Sequence, residues 1–154
     1  MDLRDLYQDI ILDHARSPRN FHSMTEPSHS AHGHNPLCGD RISVFMKIEQ
    51  DRIVEVSFEG KGCAISTASA SLMTDILTGK SLEQAEMMFN SFHARVTTGE
   101  TVEISSDLED DYDRLEPLTG VRTYPARVKC ATLAWHTFDA AIKSGVQGDT
   151  VKTE

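Results

Sequence analysis

Asn35-Pro36-Leu37-Cys38-Gly39-Asp40 places a thiol and a carboxylate two residues apart in a segment that contains both proline and glycine. The proline restricts the backbone before the thiol, and the glycine lets the chain turn before the carboxylate. Side chains two residues apart on an extended backbone point the same way, so both could reach one ion. Three thiolates and one carboxylate suit tetrahedral zinc, and we expect the fold to bring the other two cysteines, Cys63 and Cys130, to this loop. The alternative is a free thiol in a turn.

The composition is that of one folded domain. The chain has 154 residues, of which 39% are hydrophobic and 25% charged, and this is enough to bury a core. We expect a single domain over residues 1–145 and a flexible tail over residues 146–154, where core-forming residues are scarce. No apolar run is long enough for a transmembrane helix, and the first residues lack the basic-then-apolar pattern of a signal peptide. These features predict a cytoplasmic protein.

The charge of the chain argues against polyanionic partners. The formal net charge is −9, so we expect neither nucleic acid nor membrane as a partner. The charge either suits a basic protein partner or only aids solubility. Residues 99–116 are an acidic segment with eight acids and one base. Because the segment lacks the turn glycine of a calcium loop, we interpret it as a solvated loop with a short helix, or as a docking surface.

The cysteines have settings that favour reactive or metal-bound thiols. Three is too few for a disulfide scaffold, and thiols in a reducing compartment are more often reactive or metal-bound. Cys63 precedes a predicted helix, whose N-terminal dipole favours a thiolate. Cys130 is flanked by Arg127 and Lys129, and these charges also favour a thiolate. The alternative for Cys63 is a small core residue.

The hydrophobic pattern predicts a mixture of helices and strands. Apolar residues at helical spacing predict a first helix over residues 3–15. Residues 16–34 have the composition of a loop, and residues 41–48 and 52–58 predict an antiparallel hairpin. Further helices are expected from residue 64 to about Gly79, from the capping box Ser81–Gln84 to about His93, and from Pro125 onward. Helices packed on one face of a small, mostly antiparallel sheet make an α+β fold.

Histidines that precede the first cysteine offer alternative metal ligands. The predicted loop contains His22, His29, His32 and His34, and a histidine-rich tract can bind metal. His32 and His34 are nearest to Cys38 in sequence, so they compete with the set of thiolates and carboxylate. The tract could also serve as a mobile, protonatable lid.

Each cysteine lies in a distinctive local sequence. In chain order these sequences are Asn35–Asp40, Gly60-Lys61-Gly62-Cys63-Ala64-Ile65-Ser66 and Pro125-Ala126-Arg127-Val128-Lys129-Cys130. Together they closely resemble the IscU-like family, and the resemblance extends from the first helix to the last. Within that family the chain resembles the SufU-type branch. Lys129 stands where IscU-type scaffolds carry a histidine, and residues 99–116 look like the segment that SufU-type proteins insert between the second and third cysteines.

The resemblance implies a sheet of three strands and a zinc-bound sulfurtransferase. Such a protein takes persulfide sulfur from a SufS-type, pyridoxal-phosphate-dependent cysteine desulfurase, stimulates it, and supplies downstream SUF proteins that assemble iron–sulfur clusters. By position, zinc would be held by Cys38, Asp40, Cys63 and Cys130. Cys38 would accept the sulfur after a histidine of the desulfurase replaces it on the metal. Arg127 could offset the charge of the site or steady the persulfide, or it could form a salt bridge elsewhere.

Two other functions are compatible with these residues. The first is a scaffold that binds a [2Fe–2S] cluster at the same Cys/Asp site, although Lys129 leaves it without one ligand of the scaffold branch. The second is a structural zinc protein that acts as a docking module. Iron and sulfide in the purified protein would indicate the scaffold. A docking module would lose stability but no specific activity when Cys38 is replaced.

Overall fold

The structure, a computed structural model, describes residues 3–144 and 149–152. Within these ranges the α-helices are α1 (Leu3–Arg16), α2 (Ala64–Leu77), α3 (Leu82–Thr97), α4 (Glu109–Asp113) and α5 (Pro125–Ser144). The strands are β1 (His29–Asn35), β2 (Asp40–Glu49), β3 (Arg52–Lys61) and β4 (Asp149–Lys152). Two 3₁₀ helices span Ser106–Leu108 and Glu116–Thr123.

The sheet has the strand order β3-β2-β1-β4. The pairs β1/β2 and β2/β3 are antiparallel, which confirms the predicted α+β fold with three antiparallel strands. The fourth strand, β4, is an addition that the sequence did not predict, and it runs parallel to β1.

Part of the segment expected to be a flexible tail, residues 146–154, forms β4, and its flexibility stays a prediction. Residues 149–152 pair with residues 31–34 of β1. The sequence could not indicate this strand, because four residues are too few to establish an apolar period and the strand is defined by backbone pairing with a distant partner. The other positions of the predicted tail lie outside the described residues.

The predicted loop over residues 16–34 is wrong at its C-terminal end, where β1 begins at His29. Polar residues and a glycine dominate this strand, so its sequence has no apolar alternation. Its inward positions, Ala31, Gly33 and Asn35, are nevertheless buried. Backbone pairing with β2 and the close approach of α5 therefore decide the strand, and neither is visible in the local pattern.

The hydrophobic core lies between the sheet and the helices on one of its faces. Helix α5 packs on β1 and β2, α2 packs on β3 and α5, and α1 packs on α2. The predicted apolar stripe of α5 enters this core with Trp135 and Phe138, which are at most 1% exposed. The Trp135 indole donates a hydrogen bond of 3.2 Å to Ser69 Oγ on α2, and this bond joins the two central helices.

The ends of two helices match their sequence signals. Ser81 and Gln84 form the predicted capping box at the start of α3, and α5 begins at Pro125 as predicted. In the ranges that the structure describes, no helix combines the length and the apolarity needed to span a bilayer.

Candidate metal centre

One end of the sheet brings the three cysteine-bearing segments together. Asn35 at the end of β1 pairs with Asp40 at the start of β2, and β3 ends at Lys61, shortly before α2 begins. The antiparallel register therefore places the β1–β2 loop and the N-terminus of α2 at the same edge. The first turns of α5 carry Cys130 to this edge from the helical layer.

The β1–β2 loop is a tight turn with internal hydrogen bonds. Gly39 has a φ of 75°, a left-handed conformation that favours glycine, and its N–H donates to the Asn35 carbonyl at 2.8 Å. The Asn35 side chain accepts a further bond from the Leu37 N–H at 3.2 Å. The turn leaves Cys38 exposed and Asp40 only 1% exposed.

Cys38, Asp40 and Cys130 form a compact cluster. The Cys38 thiol donates to Asp40 Oδ2 at 3.0 Å, and the sulfur atoms of Cys38 and Cys130 are 3.6 Å apart. One ligand atom from each residue lies within 4.8 Å of the other two. Two sulfur ligands of a tetrahedral zinc ion are about 3.8 Å apart when each Zn–S bond is about 2.3 Å. The spacing of the two thiols therefore fits one metal ion.

Cys63 lies beside this cluster. Its sulfur is 3.8 Å from Asp40 Oδ2, and its backbone N–H donates to Asp40 Oδ1 at 2.9 Å. The same sulfur accepts a bond from the Ser66 N–H at 3.4 Å and caps α2, which confirms the predicted position of Cys63 at a helix N-terminus. The described cluster of three does not include Cys63, so its thiol would have to turn from the helix cap to complete a set of four.

The pKa of two of the thiols is raised in the metal-free protein. Partial desolvation of the exposed Cys38 by the surrounding protein, and then the hydrogen bond to Asp40, raises the pKa of its thiol above the ordinary value. Burial raises the pKa of Cys130 further, and the neighbouring Cys38 and Cys63 add to this effect. The flanking basic residues were predicted to favour a thiolate at Cys130, and in the metal-free chain desolvation outweighs that effect because it disfavours the charged form.

Arg127 is a basic residue that interacts with the thiols of the site. The pKa of the Arg127 guanidinium is raised, chiefly by the charge of Cys63 and next by a hydrogen bond to Cys130. Arg127 and Cys63 also line one groove between α1, α2 and the second 3₁₀ helix. No salt bridge ties Arg127 to a carboxylate among the described residues, so its charge faces the thiols.

The histidines lie apart from this cluster. His32 Nδ1 is bonded to Ser43 Oγ at 2.7 Å on the exposed side of the sheet. Neither His32 nor His34 belongs to the group of ligand atoms around Cys38. Among the described residues, the group that could hold a metal ion consists of Cys38, Asp40 and Cys130.

Asn35 and Gly62 support the site, although neither was predicted from the sequence to be a site residue. Asn35 is 1% exposed, and its amide Nδ2 lies 4.0 Å from the sulfur of Cys130. A Cβ atom on Gly62 would lie 2.9 Å from Asp40 Oδ1, so glycine lets the backbone approach the carboxylate. The glycines around Lys61 signalled such an approach, whereas nothing local in the sequence indicated the contact of Asn35 with a residue 95 positions away.

The donor set suits zinc better than a hard cation. Three thiols and one carboxylate offer mostly soft ligands, whereas magnesium and calcium prefer oxygen atoms. The bonds that Asp40 accepts from Cys63 N and from the Cys38 thiol hold the carboxylate at the centre of the three cysteines. A metal ion bound here would replace the protons of the thiols.

Comparison with known proteins gives consistent matches over nearly the whole chain. The family described as "NifU-like N terminal domain" matches residues 6–146. The zinc-dependent sulfurtransferase SufU of Bacillus subtilis is 40% identical over 141 residues, which are 92% of each chain. The iron-sulfur cluster assembly scaffold protein IscU of Streptococcus pyogenes is 38% identical over 92% of this chain and 85% of its own length.

A solved structure matches the fold as well. The protein FiSufU of Fervidobacterium islandicum superposes with a TM-score of 0.75 at 29% sequence identity. The match covers 92% of this chain and 99% of that one. The predicted resemblance to the IscU/SufU group is thus confirmed by sequence and by fold.

Proposed function

The chain belongs to the NifU-like N-terminal domain family, the group of IscU and SufU proteins, and from this premise we propose that it is a zinc-bound acceptor of persulfide sulfur in iron–sulfur cluster assembly. The donor would be a SufS-type cysteine desulfurase, which contains the pyridoxal phosphate and is stimulated by this chain. Downstream SUF proteins would receive the sulfur. We place this activity in the cytoplasm.

The observation that carries the proposal is the cluster of one exposed thiol, one buried thiol and one buried carboxylate. Cys38 is exposed and lies on a loop, whereas Cys63 and Cys130 belong to the ends of α2 and α5. A thiol on an exposed loop can move towards a partner more easily than thiols held by two packed helices. Cys38 is therefore the residue that would accept sulfur, and the other two would stay in place.

The residues of this chain have separable roles in the reaction. Bound zinc would hold the thiols in their ionised form at neutral pH and would contribute no redox chemistry. Asp40, Cys63 and Cys130 would remain as its ligands while Cys38 reaches the donor. The Arg127 guanidinium, which faces Cys63 and Cys130, would offset negative charge that develops at the thiols.

The transfer itself is an exchange between sulfur atoms. The Cys38 thiolate attacks the terminal sulfur of the donor's cysteine persulfide. The S–S bond of the donor breaks, a new S–S bond forms on Cys38, and the donor cysteine leaves as a thiolate. The persulfide proton stays with the transferred sulfur or passes to the leaving thiolate, so no external oxidant or reductant is needed.

A scaffold function is the second candidate, since the match to the IscU protein of Streptococcus pyogenes is nearly as strong as the match to SufU. In that case the same Cys/Asp residues would bind a [2Fe–2S] cluster. Lys129 disfavours this candidate, because it stands where the scaffold branch carries a histidine ligand. Iron with sulfide, rather than zinc, in the purified protein would favour it.

The test combines metal analysis with sulfur transfer. The purified chain is expected to contain about one zinc ion. After incubation with its cognate SufS-type desulfurase and cysteine, mass spectrometry should find one additional sulfur atom on Cys38. Cys38→Ser should accept none, and its circular dichroism should show that it still folds. Transfer to the serine variant at the wild-type rate, or iron and sulfide in place of zinc, would contradict the proposal.

A further inference from the structure

A pair of positive charges lies next to the candidate metal centre. Arg41 on β2 and Lys61 on β3 are directly opposite each other in the antiparallel register, and both are exposed. Opposed residues of neighbouring strands project from the same face of the sheet. Since Ile42, the next residue after Arg41, faces the core, this face is the one turned away from α2 and α5.

Neither of the two charges forms an ion pair within the described chain. Six other basic side chains do pair with carboxylates, namely those of Arg19, Lys47, Lys80, Arg95, Arg114 and Lys143. Neither Arg41 nor Lys61 has such a partner among the described residues. Like charges placed directly opposite on two strands repel each other. In a chain with a net charge of −9, two cations opposed on neighbouring strands concentrate positive charge at this edge of the sheet.

An exposed apolar side chain lies four residues before Arg41, on the loop that leads into β2. Leu37 is 70% exposed and immediately precedes Cys38 on the β1–β2 loop. A protein interface combines an apolar anchor with a polar and charged rim. A small anion would gain nothing from the leucine, so the combination favours a protein partner.

We propose that Leu37, Arg41 and Lys61 are the docking surface for an acidic face of the sulfur donor. Leu37 enters an apolar pocket of the donor, and the two cations face its carboxylates. This inference rests on the proposed function, since a donor must cover the Cys38 loop to deliver sulfur. Arg41 follows Cys38 by three positions and Lys61 precedes Cys63 by two. Each cation is therefore only a few residues from a thiol that the donor must approach.

The two parts of the docking surface differ in their response to salt. Charge pairs at the rim of an interface speed association and weaken as the ionic strength rises. The Debye length falls from about 10 Å at 0.1 M salt to about 3 Å at 1 M. The contribution of Arg41 and Lys61 should therefore fade with added salt, whereas the contribution of Leu37 should persist.

The test measures binding of the cognate SufS-type desulfurase to the zinc-loaded chain by biolayer interferometry at these two salt concentrations. One variant is the double substitution Arg41→Gln/Lys61→Gln, and another is Leu37→Ala. The matched control is Lys47→Gln/Lys143→Gln. It removes the same charge from two exposed residues, one of them on the same strand as Arg41 and the other on α5.

We expect the Arg41/Lys61 variant to bind on the order of tenfold more weakly at low salt and to converge with the wild type at high salt. Leu37→Ala should bind more weakly at both concentrations, and the control should bind like the wild type. Unchanged binding of the Arg41/Lys61 variant, or equal weakening of the control, would overturn the docking surface while sulfur transfer to Cys38 continued. If the wild type neither bound the desulfurase nor accepted sulfur, the proposed function and the docking surface would both be wrong.

Discussion

Asp40 illustrates how much a single residue contributes to the candidate site. Its carboxylate is 1% exposed, and a buried carboxylate is costly unless hydrogen bonds satisfy it. The Cys63 N–H and the Cys38 thiol donate to its two oxygen atoms. The same carboxylate therefore ties the β1–β2 loop to the start of α2 and presents an oxygen ligand between the thiols.

His14 is a second buried polar residue, and its function is structural. It is 6% exposed on α1, and its Nδ1 lies 2.7 Å from Ser71 Oγ on α2. Burial lowers the pKa of His14 below its ordinary value of 6.5, and the charge of Arg19 adds to this effect. The folded protein therefore favours the neutral imidazole.

His14 should make the stability of the metal-free protein depend on pH. The unfolded chain binds the proton first as the pH falls, because only the folded state lowers the pKa of His14. The stability that neutral His14 provides is fully present at a pH above 6.5, its ordinary pKa. This stability is lost as the pH falls from 6.5 towards the lower pKa that His14 has in the folded protein. His14→Gln should reduce the fall in the free energy of unfolding between pH 8 and pH 5, as measured by urea denaturation, and the part that remains is expected from His136, whose pKa is also lowered by burial.

The control for this prediction is His22→Gln. His22 is exposed and bonds only to the backbone of its neighbour Ser23 in the described structure. This variant should keep the wild-type pH dependence. If His14→Gln and the wild type lost stability in parallel as the pH fell, the buried histidine would not be the titrating group.

Among the secondary structure elements, β1 and α5 approach each other closely at Gly33. A Cβ atom on Gly33 would overlap Thr137 Oγ1 and would lie 3.0 Å from Leu133 Cδ1. Thr137 is fully buried and bonds to the Leu133 carbonyl at 2.7 Å, so it cannot easily turn away. The absence of a side chain at Gly33 therefore sets the distance between the sheet and the helix that carries Cys130.

Gly33→Ala should lower stability by about 1–3 kcal/mol, the usual cost of overpacking a core. In a domain of this size, the melting temperature should fall by about 2–4 °C for each kcal/mol, and calorimetry would measure it. Gly120→Ala is the matched control, because a Cβ atom there meets nothing within 4 Å. Thr137→Ala should relieve part of the strain in a double variant. Equal melting temperatures for Gly33→Ala and Gly120→Ala would refute the close approach.

The acidic segment 99–116 is also tied to the fold through its short helices. Asp111 pairs with Lys80 at 2.7 Å, and Glu116 pairs with Arg95 at 3.3 Å. Leu108 and Leu115 are buried in the core. The prediction of a short helix is confirmed by α4, and these contacts attach the segment to α3 and to the end of α2. Its function as a docking surface stays a prediction.

In the whole molecule, the candidate metal centre joins three parts of the chain. Cys38 and Asp40 come from the β1–β2 loop, Cys63 from the start of α2 and Cys130 from α5. An ion held by all three would bind the folded state and not the unfolded chain. Such an ion stabilises the fold in proportion to the logarithm of its concentration relative to its dissociation constant.

Removing the metal should therefore destabilise the whole domain. At a free zinc concentration of about 1,000 times the dissociation constant, the stabilisation is about 4 kcal/mol. A chelator should lower the melting temperature in calorimetry, and added zinc should restore it. Asp40→Ala should respond less to both treatments. Asp110→Ala, which removes an exposed acid from the surface, should respond like the wild type. A melting temperature that is indifferent to the chelator would contradict the site.

Local sequence was sufficient to predict the features that neighbouring residues determine. Helical periodicity predicted α1 and α5, the capping box predicted the start of α3, and proline and glycine predicted the turn around Cys38. The three cysteine motifs indicated the family, and chemical type alone indicated which residues could bind zinc. Each of these features depends on residues within a few positions of one another, so a single sequence contains the information.

Only the tertiary structure decided which distant residues meet. β1 is a strand because it pairs with β2 and accepts α5 against Gly33, and β4 is a strand because it pairs with β1. The sulfur atoms of Cys38 and Cys130 are 3.6 Å apart although 92 positions separate them in sequence. Burial at that meeting point keeps Cys130 protonated in spite of its basic neighbours. Strand pairing and desolvation depend on what surrounds a residue in space, and no local pattern records that environment.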